Sequence, residues 1–516
     1  MAAIPTFSGT LRAPRQTKNH ETDSKSVVTV ALDDGHCPLE ADRDLPLVVD
    51  LDGTLILTDT LLESVLLALG RHPVRLVRLL PDALSKRARF KRRLVALAIP
   101  DVATLPYDQR LLRLLRQEAS VGRRLVLATG ADEAIGEAVS RHLGIFSATF
   151  GSDGVTNLTG TRKAARLDLE LGSGKWLYAG NSRQDLGVWP ASAGAVVVNG
   201  SPGVAKAARA VSTRVLAQIP PPSPGRRAWF RLLRLHQWSK NLLIFVPIIL
   251  AHRTGSLDAW RLSFLGFLAF GLAASANYVV NDLLDLQADR RHPTKRIRPL
   301  ASGRIGIIAG IVAILVLAIS SVALLLPLPS LARWTLLAYV TVTTAYSLKL
   351  KTLLSLDVVT LAMCYVLRLL FGSVVTGIPL SVWTLASAGF FFTSLAFAKR
   401  LIELRHSTNN ALPVAPGKRR AYSPDDHSQV GAQAAASGFL SILVVALYIN
   451  SSEVRVLYSR PDMLWLLCPV LIWWLSRLLI LASRATIPHD PVSFALRDRA
   501  SWVTLGLLFL VLLIAK

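Results

Sequence analysis

Apolar residues are spread unevenly along this chain. From residue 241 onward they gather into nine runs, at roughly 241–252, 262–280, 305–326, 334–348, 358–379, 380–398, 432–450, 463–482 and 502–515. A helix crossing a bilayer needs about 20 mostly apolar residues, so the pattern predicts nine transmembrane helices. The first run is short and is expected to draw in the amphipathic stretch Trp229 to Trp238. Upstream the pattern differs. Leu45-Pro46-Leu47-Val48-Val49 and Leu125-Val126-Leu127-Ala128 are short continuous apolar runs that end in polar residues, as buried strands of a parallel sheet do. Between them, residues 60–120 alternate apolar and basic positions at helical spacing, and the basic face with Lys86, Arg87, Arg89, Lys91, Arg92 and Arg93 is expected to be solvated or laid on anionic lipid.

These patterns predict two domains: an α/β doubly wound (Rossmann-like) domain over 46–217 with a helical cap near 60–120, then an all-α nine-helix transmembrane bundle over 229–516. Residues 218–228, proline-rich from Gln218 to Gly225, form a short semi-stiff linker. Residues 1–45 are polar, lack the apolar core of a signal peptide, and are expected to be a disordered leader.

Charge sharpens the picture. The 58 Lys and Arg against 34 Asp and Glu give a formal charge of +24. The basic residues cluster beside apolar runs, which favours anionic lipid headgroups and phosphorylated substrates over nucleic acid. With the N-terminus inside, the loops 281–304, 349–352, 399–431 and 477–500 carry 18 Lys and Arg, while the opposite loops carry 5. That asymmetry predicts an integral protein of a bacterial inner membrane, with the soluble domain and the charged loops on the cytoplasmic side. Cys37, Cys364 and Cys468 have no disulfide or zinc spacing. Oligomeric state is left open.

The charged segment with most chemistry runs from Asn281 to Asp289. Asp282, Asp285 and Asp289 fall three and four residues apart, on nearby faces of one helix, where hard oxygen ligands suit Mg²⁺ and a phosphate-bearing substrate. Arg290, Arg291, Lys295, Arg296 and Arg298 follow as a basic run, of which Lys295, Arg296 and Arg298 are expected to contact substrate. Arg368 lies about ten residues into an apolar run, where an unpaired cation costs about 3 kcal/mol or more, so Asp357 or a substrate phosphate is expected beside it.

The stretch from Asn281 through Arg298-Pro299-Leu300-Ala301-Ser302-Gly303 resembles the first aspartate-rich motif of the UbiA superfamily of intramembrane prenyltransferases. Leu235-His236-Gln237-Trp238-Ser239-Lys240-Asn241 is similar to that family's first helix. The resemblance covers about 229–516. It implies a helical bundle around a lipid-accessible cavity, with Mg²⁺ and diphosphate at the cytoplasmic end and with Lys240 and Asn281 at the substrate. The family's second aspartate-rich motif is missing. Lys399, Arg400, Glu403, Arg405, Lys418, Arg419 and Arg420 stand in the corresponding loop, and Asp425 and Asp426 come later. One carboxylate set facing a cationic wall suits one metal-bound diphosphate and one bare phosphate. Tyr346 to Lys349, Asp357, Arg368, and Lys399-Arg400 with Glu403 resemble the decaprenyl-phosphate phosphoribosyltransferase branch, which implies phosphoribosyl diphosphate and a polyprenyl phosphate as substrates.

Val49-Asp50-Leu51-Asp52-Gly53-Thr54 resembles the first motif of haloacid-dehalogenase-type (HAD) phosphatases. The resemblance implies Asp50 as nucleophile toward phosphorus, Asp52 as acid/base, Thr129 and Lys163 as phosphate contacts, and Mg²⁺ held by Asp50, Asp52, Asn181 and Asp185. Asn181 stands where the family usually has aspartate, which weakens the metal site's charge. Two activities on one membrane face suggest consecutive steps: phosphoribosyl transfer, then removal of the 5-phosphate. Two rival readings remain, transfer of a polyprenyl group from its diphosphate to an aromatic or other small acceptor, and a non-catalytic transporter or scaffold.

Overall fold

Buried on both faces, the run Leu47–Val49 forms β1, the inner strand on which the first sheet is built. The computed structural model describes residues 39–212, 214–409, 422–487 and 490–516; most of the predicted leader, Cys37, and Lys418, Arg419 and Arg420 lie outside the described residues. By contacts the chain divides into two compact units. One comprises Met1–Leu61, Arg78–Ala103 and Tyr107–Pro222, the other Leu62–Val77, Thr104–Pro106 and Ser223–Lys516.

In the first unit β2 (Leu125–Asp132), β3 (Ala148–Ser152), β4 (Leu177–Gly180), β5 (Gly194–Val198) and β6 (Val215–Ile219) join β1 in a sheet ordered β3-β2-β1-β4-β5-β6. All its pairings are parallel, and Leu47 sits between Leu125 and Leu177. Both faces are covered, so the strands are continuously apolar. Val48, Val126, Ala128, Trp176, Tyr178 and Val197 form one core cluster. Strand order reverses between β1 and β4, and side chains leaving the carboxyl ends of such strands converge on one crevice.

The chain between β1 and β2 folds as α1 (Thr60–Arg71), α2 (Pro73–Ser85), α3 (Arg87–Leu97) and α4 (Gln109–Ser120). Later crossovers are α5 (Glu133–Leu143), α6 (Thr161–Leu171) and α7 (Pro202–Val211). Asp132 caps α5 by accepting from Ala134 N–H at 3.1 Å, and Gly144, with φ of 65°, ends it.

The second unit is helical. It runs through α8 (Arg226–Leu233), a 3₁₀ stretch Leu235–Phe245, α9 (Val246–Leu250), α10 (Leu257–Leu284), α11 (Leu286–Arg291), α12 (Ile307–Leu325), α13 (Ser330–Leu348) and α14 (Leu356–Thr376). It ends with α15 (Val382–Asn409), α16 (His427–Ile449), α17 (Ser452–Leu457), α18 (Leu467–Ser483), α19 (Pro491–Ala495) and α20 (Arg499–Ala515). Among the described residues six helices are long and apolar enough to cross a membrane, fewer than the nine expected. The run 241–252 ends in a five-residue helix containing Pro247, α13 is diluted by Arg333 and several Thr residues, and α20 is short.

Small residues let these helices approach closely. Ser321 Oγ donates to Ala269 O at 2.7 Å, tying α12 to α10, and Ser394 Oγ donates to Ala434 O at 2.6 Å, tying α15 to α16. Gly372 on α14 is the tightest contact, since an added Cβ would stand 2.2 Å from Ile244 O. The obstacle is backbone and cannot rotate away. Gly372→Ala is therefore expected to cost about 1–3 kcal/mol, seen as a lower unfolding midpoint in detergent, whereas Gly506→Ala, with open space around it, should leave the midpoint unchanged.

Candidate active sites

Asp50 leaves the carboxyl end of β1 and Lys163 rises from α6 beneath it, 2.8 Å from Asp50 Oδ1. Lys163 Nζ also donates to Tyr178 OH at 2.8 Å, and Tyr178 OH donates to Asp185 Oδ1 at 2.9 Å. Asp185 Oδ2 accepts from Asn181 N–H, Ser182 N–H and Ser182 Oγ at 2.8–3.0 Å. Asp52 accepts from Thr60 N–H at 2.7 Å and from Thr60 Oγ1 at 3.2 Å. Thr129 is buried within β2, where its Oγ1 accepts from Ala131 N–H at 3.0 Å. The predicted residues thus converge from four segments on one crevice.

Burial pushes Asp50 up to about 6 against the pull of Lys163, with Asp185 adding to the rise. Burial and the neighbouring Asp59 push Asp52 up to about 7. Carboxylates this poorly compensated suit a small hard cation. Asp50, Asp52 and the carbonyl oxygen of Asn181 fit Mg²⁺ as donors, while Asp185 already spends both oxygens on protein donors. Gly53, at φ of +74°, leaves room for Asn181, whose Nδ2 would lie 2.0 Å from an added Cβ. Lys91, read from the sequence as part of a solvated or lipid-facing basic run, instead turns inward. Its Nζ donates to Gly130 O at 2.5 Å and Asn157 Oδ1 at 2.7 Å, beside Thr129.

In the second unit the aspartates stand where α10 gives way to α11. Asp282 and Asp289, both buried, converge on one nitrogen, Arg298 Nη1, at 2.9 and 2.6 Å. Arg234 also pairs with Asp282, and Lys351 Nζ lies 3.4 Å from Asp285. Among the described residues no three His, Cys, Asp or Glu side chains are grouped for a metal ion. The carboxylates of Asp282 and Asp289, which meet on a single guanidinium nitrogen, are hard oxygen donors of the kind Mg²⁺ takes, so their chemistry fits the ion. Arg290 is bound into the fold, donating to Ala301 O at 2.9 Å and to both oxygens of Glu63 at 3.0 and 2.6 Å, Glu63 belonging to the Leu62–Val77 segment of the same unit. Lys295 and Arg296 are exposed in a 3₁₀ turn, Lys349 is exposed at the end of α13, and Asn281 is half-buried on α10.

A model of the UbiA prenyltransferase family matches residues 242–496. The chain is 37% identical over 463 residues to the uncharacterized protein y4nM of Sinorhizobium fredii, covering 89% of each chain. It is 34% identical over 287 residues to nodulation protein NoeC of Azorhizobium caulinodans, covering 54% of this chain and 91% of that one. The chain belongs to the UbiA prenyltransferase family. It is also 33% identical over 178 residues to decaprenyl-phosphate phosphoribosyltransferase of Mycobacterium tuberculosis, covering 34% of this chain and 59% of that one. Among solved structures, a UbiA homolog from Archaeoglobus fulgidus bound to GPP and Mg²⁺ aligns over 55% of this chain and 99% of that one, with a TM-score of 0.41 at 15% identity. A phosphoserine phosphatase aligns over 34% of this chain and 92% of its own, with a TM-score of 0.25 at 12% identity.

Deeper in the UbiA unit the structure corrects one expectation. Asp357 pairs with Arg400 Nε at 2.5 Å and accepts from Tyr422 OH at 2.9 Å, and does not pair with Arg368. The reason is helical rise: eleven residues along α14 separate Asp357 and Arg368 by about 16 Å. Arg400, 1% exposed, also donates to Tyr346 OH at 3.0 Å and pairs with Glu403, so it is a neutralised strut and no part of an open cationic wall. Arg368 is held by neutral acceptors, Asn241 Oδ1 at 3.0 Å, Tyr339 OH at 2.8 Å and Cys364 O, with the rings of Tyr339, Phe270 and Tyr365 at 4.8, 5.3 and 5.4 Å. Aromatic faces compensate the charge that a carboxylate was expected to compensate.

Sequence reasoning missed Asp490, which pairs with Lys240 at 3.2 Å near Lys399. Burial alone would raise Asp490, but Lys240 and Lys399 hold it below its usual range. A carboxylate after the run 463–482 was the available signal. An apolar cavity of about 400 Å³, lined by Leu243, Trp383, Phe391, Phe392, Leu471 and Leu475 among others, lies within the same unit. Because Arg368 ties α13, α14 and the 3₁₀ stretch together, Arg368→Lys, which cannot reach three acceptors, is expected to lower stability by about 1–3 kcal/mol, measured as the detergent unfolding midpoint.

Proposed function

We propose that the UbiA unit transfers a phosphoribosyl group from phosphoribosyl diphosphate to a polyprenyl phosphate at the cytoplasmic face of a bacterial inner membrane, and that the N-terminal unit removes the 5-phosphate of the product. The convergence of Asp282 and Asp289 on Arg298 carries the first half of this reading. A single carboxylate pair serves one diphosphate, and the corresponding later helix offers Lys399 where a second aspartate set would serve a prenyl diphosphate. Similarity to the mycobacterial phosphoribosyltransferase supports the same choice.

In the transfer, an ionised phosphate oxygen of the polyprenyl phosphate forms a bond to the anomeric carbon as the bond from that carbon to diphosphate breaks. The acceptor is already anionic, so no general base is required. Mg²⁺, held by Asp282 and Asp289 with Asp285 beside them, would supply charge to the departing diphosphate. Arg298, Arg234 and Lys351, which now neutralise those carboxylates, are positioned to turn to phosphate oxygens. The apolar cavity suits isoprenoid chain.

In the N-terminal unit, Asp50 attacks phosphorus and the bond to the ribose 5-oxygen breaks, with Asp52 in its acid form delivering the proton to that oxygen. Water then releases phosphate from Asp50. Lys163 keeps Asp50 ionised and faces the phosphoryl oxygens with Thr129. Mg²⁺ at Asp50 and the carbonyl oxygen of Asn181 would neutralise phosphoryl charge.

The test uses membranes containing the full chain, Mg²⁺, polyprenyl phosphate and phosphoribosyl diphosphate labelled in the ribose. Label should enter the lipid phase without its 5-phosphate. Asp282→Asn and Asp289→Asn should each lower lipid labelling by 100-fold or more, on the order of removing a dominant charge stabiliser, while leaving phosphate release from added lipid product intact. Asp50→Asn should do the reverse and accumulate the phosphorylated lipid. No lipid-phase label from phosphoribosyl diphosphate, with a prenylated product formed when an aromatic acceptor and a polyprenyl diphosphate are supplied instead, would sink the phosphoribosyl assignment.

A further inference from the structure

The basic run of α3 was expected to lie on lipid or in water, yet three of its side chains are committed within the protein. Lys91 reaches Gly130 and Asn157, Arg92 pairs with Asp132 at 3.1 Å, and Arg93 pairs with Asp82 of α2 at 2.7 Å. The open amphipathic surface is on α2 instead. Val74, Val77 and Leu80 are 66%, 63% and 51% exposed, while Leu76 between them is buried. At 3.6 residues per turn the three exposed apolar side chains fall within an arc of about 120°. Arg75 and Arg78, both exposed, lie along one margin of that arc, and Leu76 marks the inward face. The one acidic residue of α2, Asp82, is neutralised by Arg93. The outer surface of the helix is therefore apolar along one strip and purely cationic along the next.

We propose that α2 is an interfacial helix, lying in the headgroup layer of an anionic leaflet with Val74, Val77 and Leu80 toward the acyl chains and Arg75 and Arg78 on lipid phosphates. Such helices immerse their apolar side by about 5–10 Å and take much of their affinity from anionic lipid. The charge pattern selects this occupant: a strip with no exposed aromatic anchor and an unopposed cationic margin suits phosphate-bearing lipid better than a protein partner. A bilayer is always at hand, because the same chain supplies six helices long and apolar enough to cross one. The proposal holds for any substrate of either unit. It adds that the helical insertion between β1 and β2 carries a membrane foot.

The test is nitroxide labelling of the full-length protein in nanodiscs containing phosphatidylglycerol. Val74→Cys, Val77→Cys and, as an aqueous reference, Val155→Cys, at a site 89% exposed, are labelled one at a time in a background with Cys37, Cys364 and Cys468 changed to alanine. Collision rates are measured with lipid-soluble oxygen and with a water-soluble nickel chelate. The labels at 74 and 77 are expected to favour oxygen and the label at 155 the nickel chelate. Arg75→Glu with Arg78→Glu, or replacement of the anionic lipid by phosphatidylcholine, should move the label at 77 toward the aqueous pattern. Labels at 74 and 77 that match 155 would overturn the proposal. So would shielding from both reagents, which would mean a protein cover such as a second copy, or indifference to charge reversal.

Discussion

A charge placed beside apolar helices must be compensated where it stands, and the UbiA unit is organised around that requirement. Its buried ionic groups occur in closed sets: Asp282 and Asp289 with Arg298 and Arg234, Asp357 with Arg400 and Tyr422, and Lys240 with Asp490. Each set links segments distant in sequence, so pairing the charges also fixes the helices. Arg368 solves the same problem by another route, with aromatic faces and neutral oxygens in place of an anion. Charges at membrane depth are dear to bury and are kept only where they serve structure or chemistry.

This arrangement places exchangeable cations where a polyanionic substrate would arrive. Arg298 is partly exposed, while Asp282 and Asp289, which it holds, are more deeply set; Lys351 and Asp285 are exposed to a similar degree. Under the proposed reaction a diphosphate with its metal would take over the carboxylates and free the basic groups to bind phosphate oxygens, so that one neutralised set would be exchanged for another. Arg400, by contrast, is fully enclosed and serves as scaffold.

The N-terminal unit applies the same logic in an α/β fold. Asp50, Lys163, Tyr178 and Asp185 form a chain of short hydrogen bonds across the strand-order reversal, and Asp50 and Asp52, the carboxyls that burial pushes up, are those assigned to the chemistry. Asn181 packs on Gly53, a local fit between the loops after β1 and β4.

By itself the sequence determined the division into an α/β part and a membrane part, the strand that leads to Asp50 and the one that carries Thr129, and the aspartate segment at the end of α10. These are local matters of period, length and residue type, and contact with distant residues does not alter them. Tertiary structure alone decided which charges neutralise which. Arg368 and Asp357 looked like partners because both were buried and opposite in sign, yet helical rise separates them and Arg400 arrives from α15. Lys91 looked like one of a surface run until α3 was seen to aim it at Gly130. Asp490 carried no motif and mattered only once folding brought it to Lys240. Pairing in a low-dielectric interior is set by distances between segments far apart in sequence, and no periodicity within a segment encodes them.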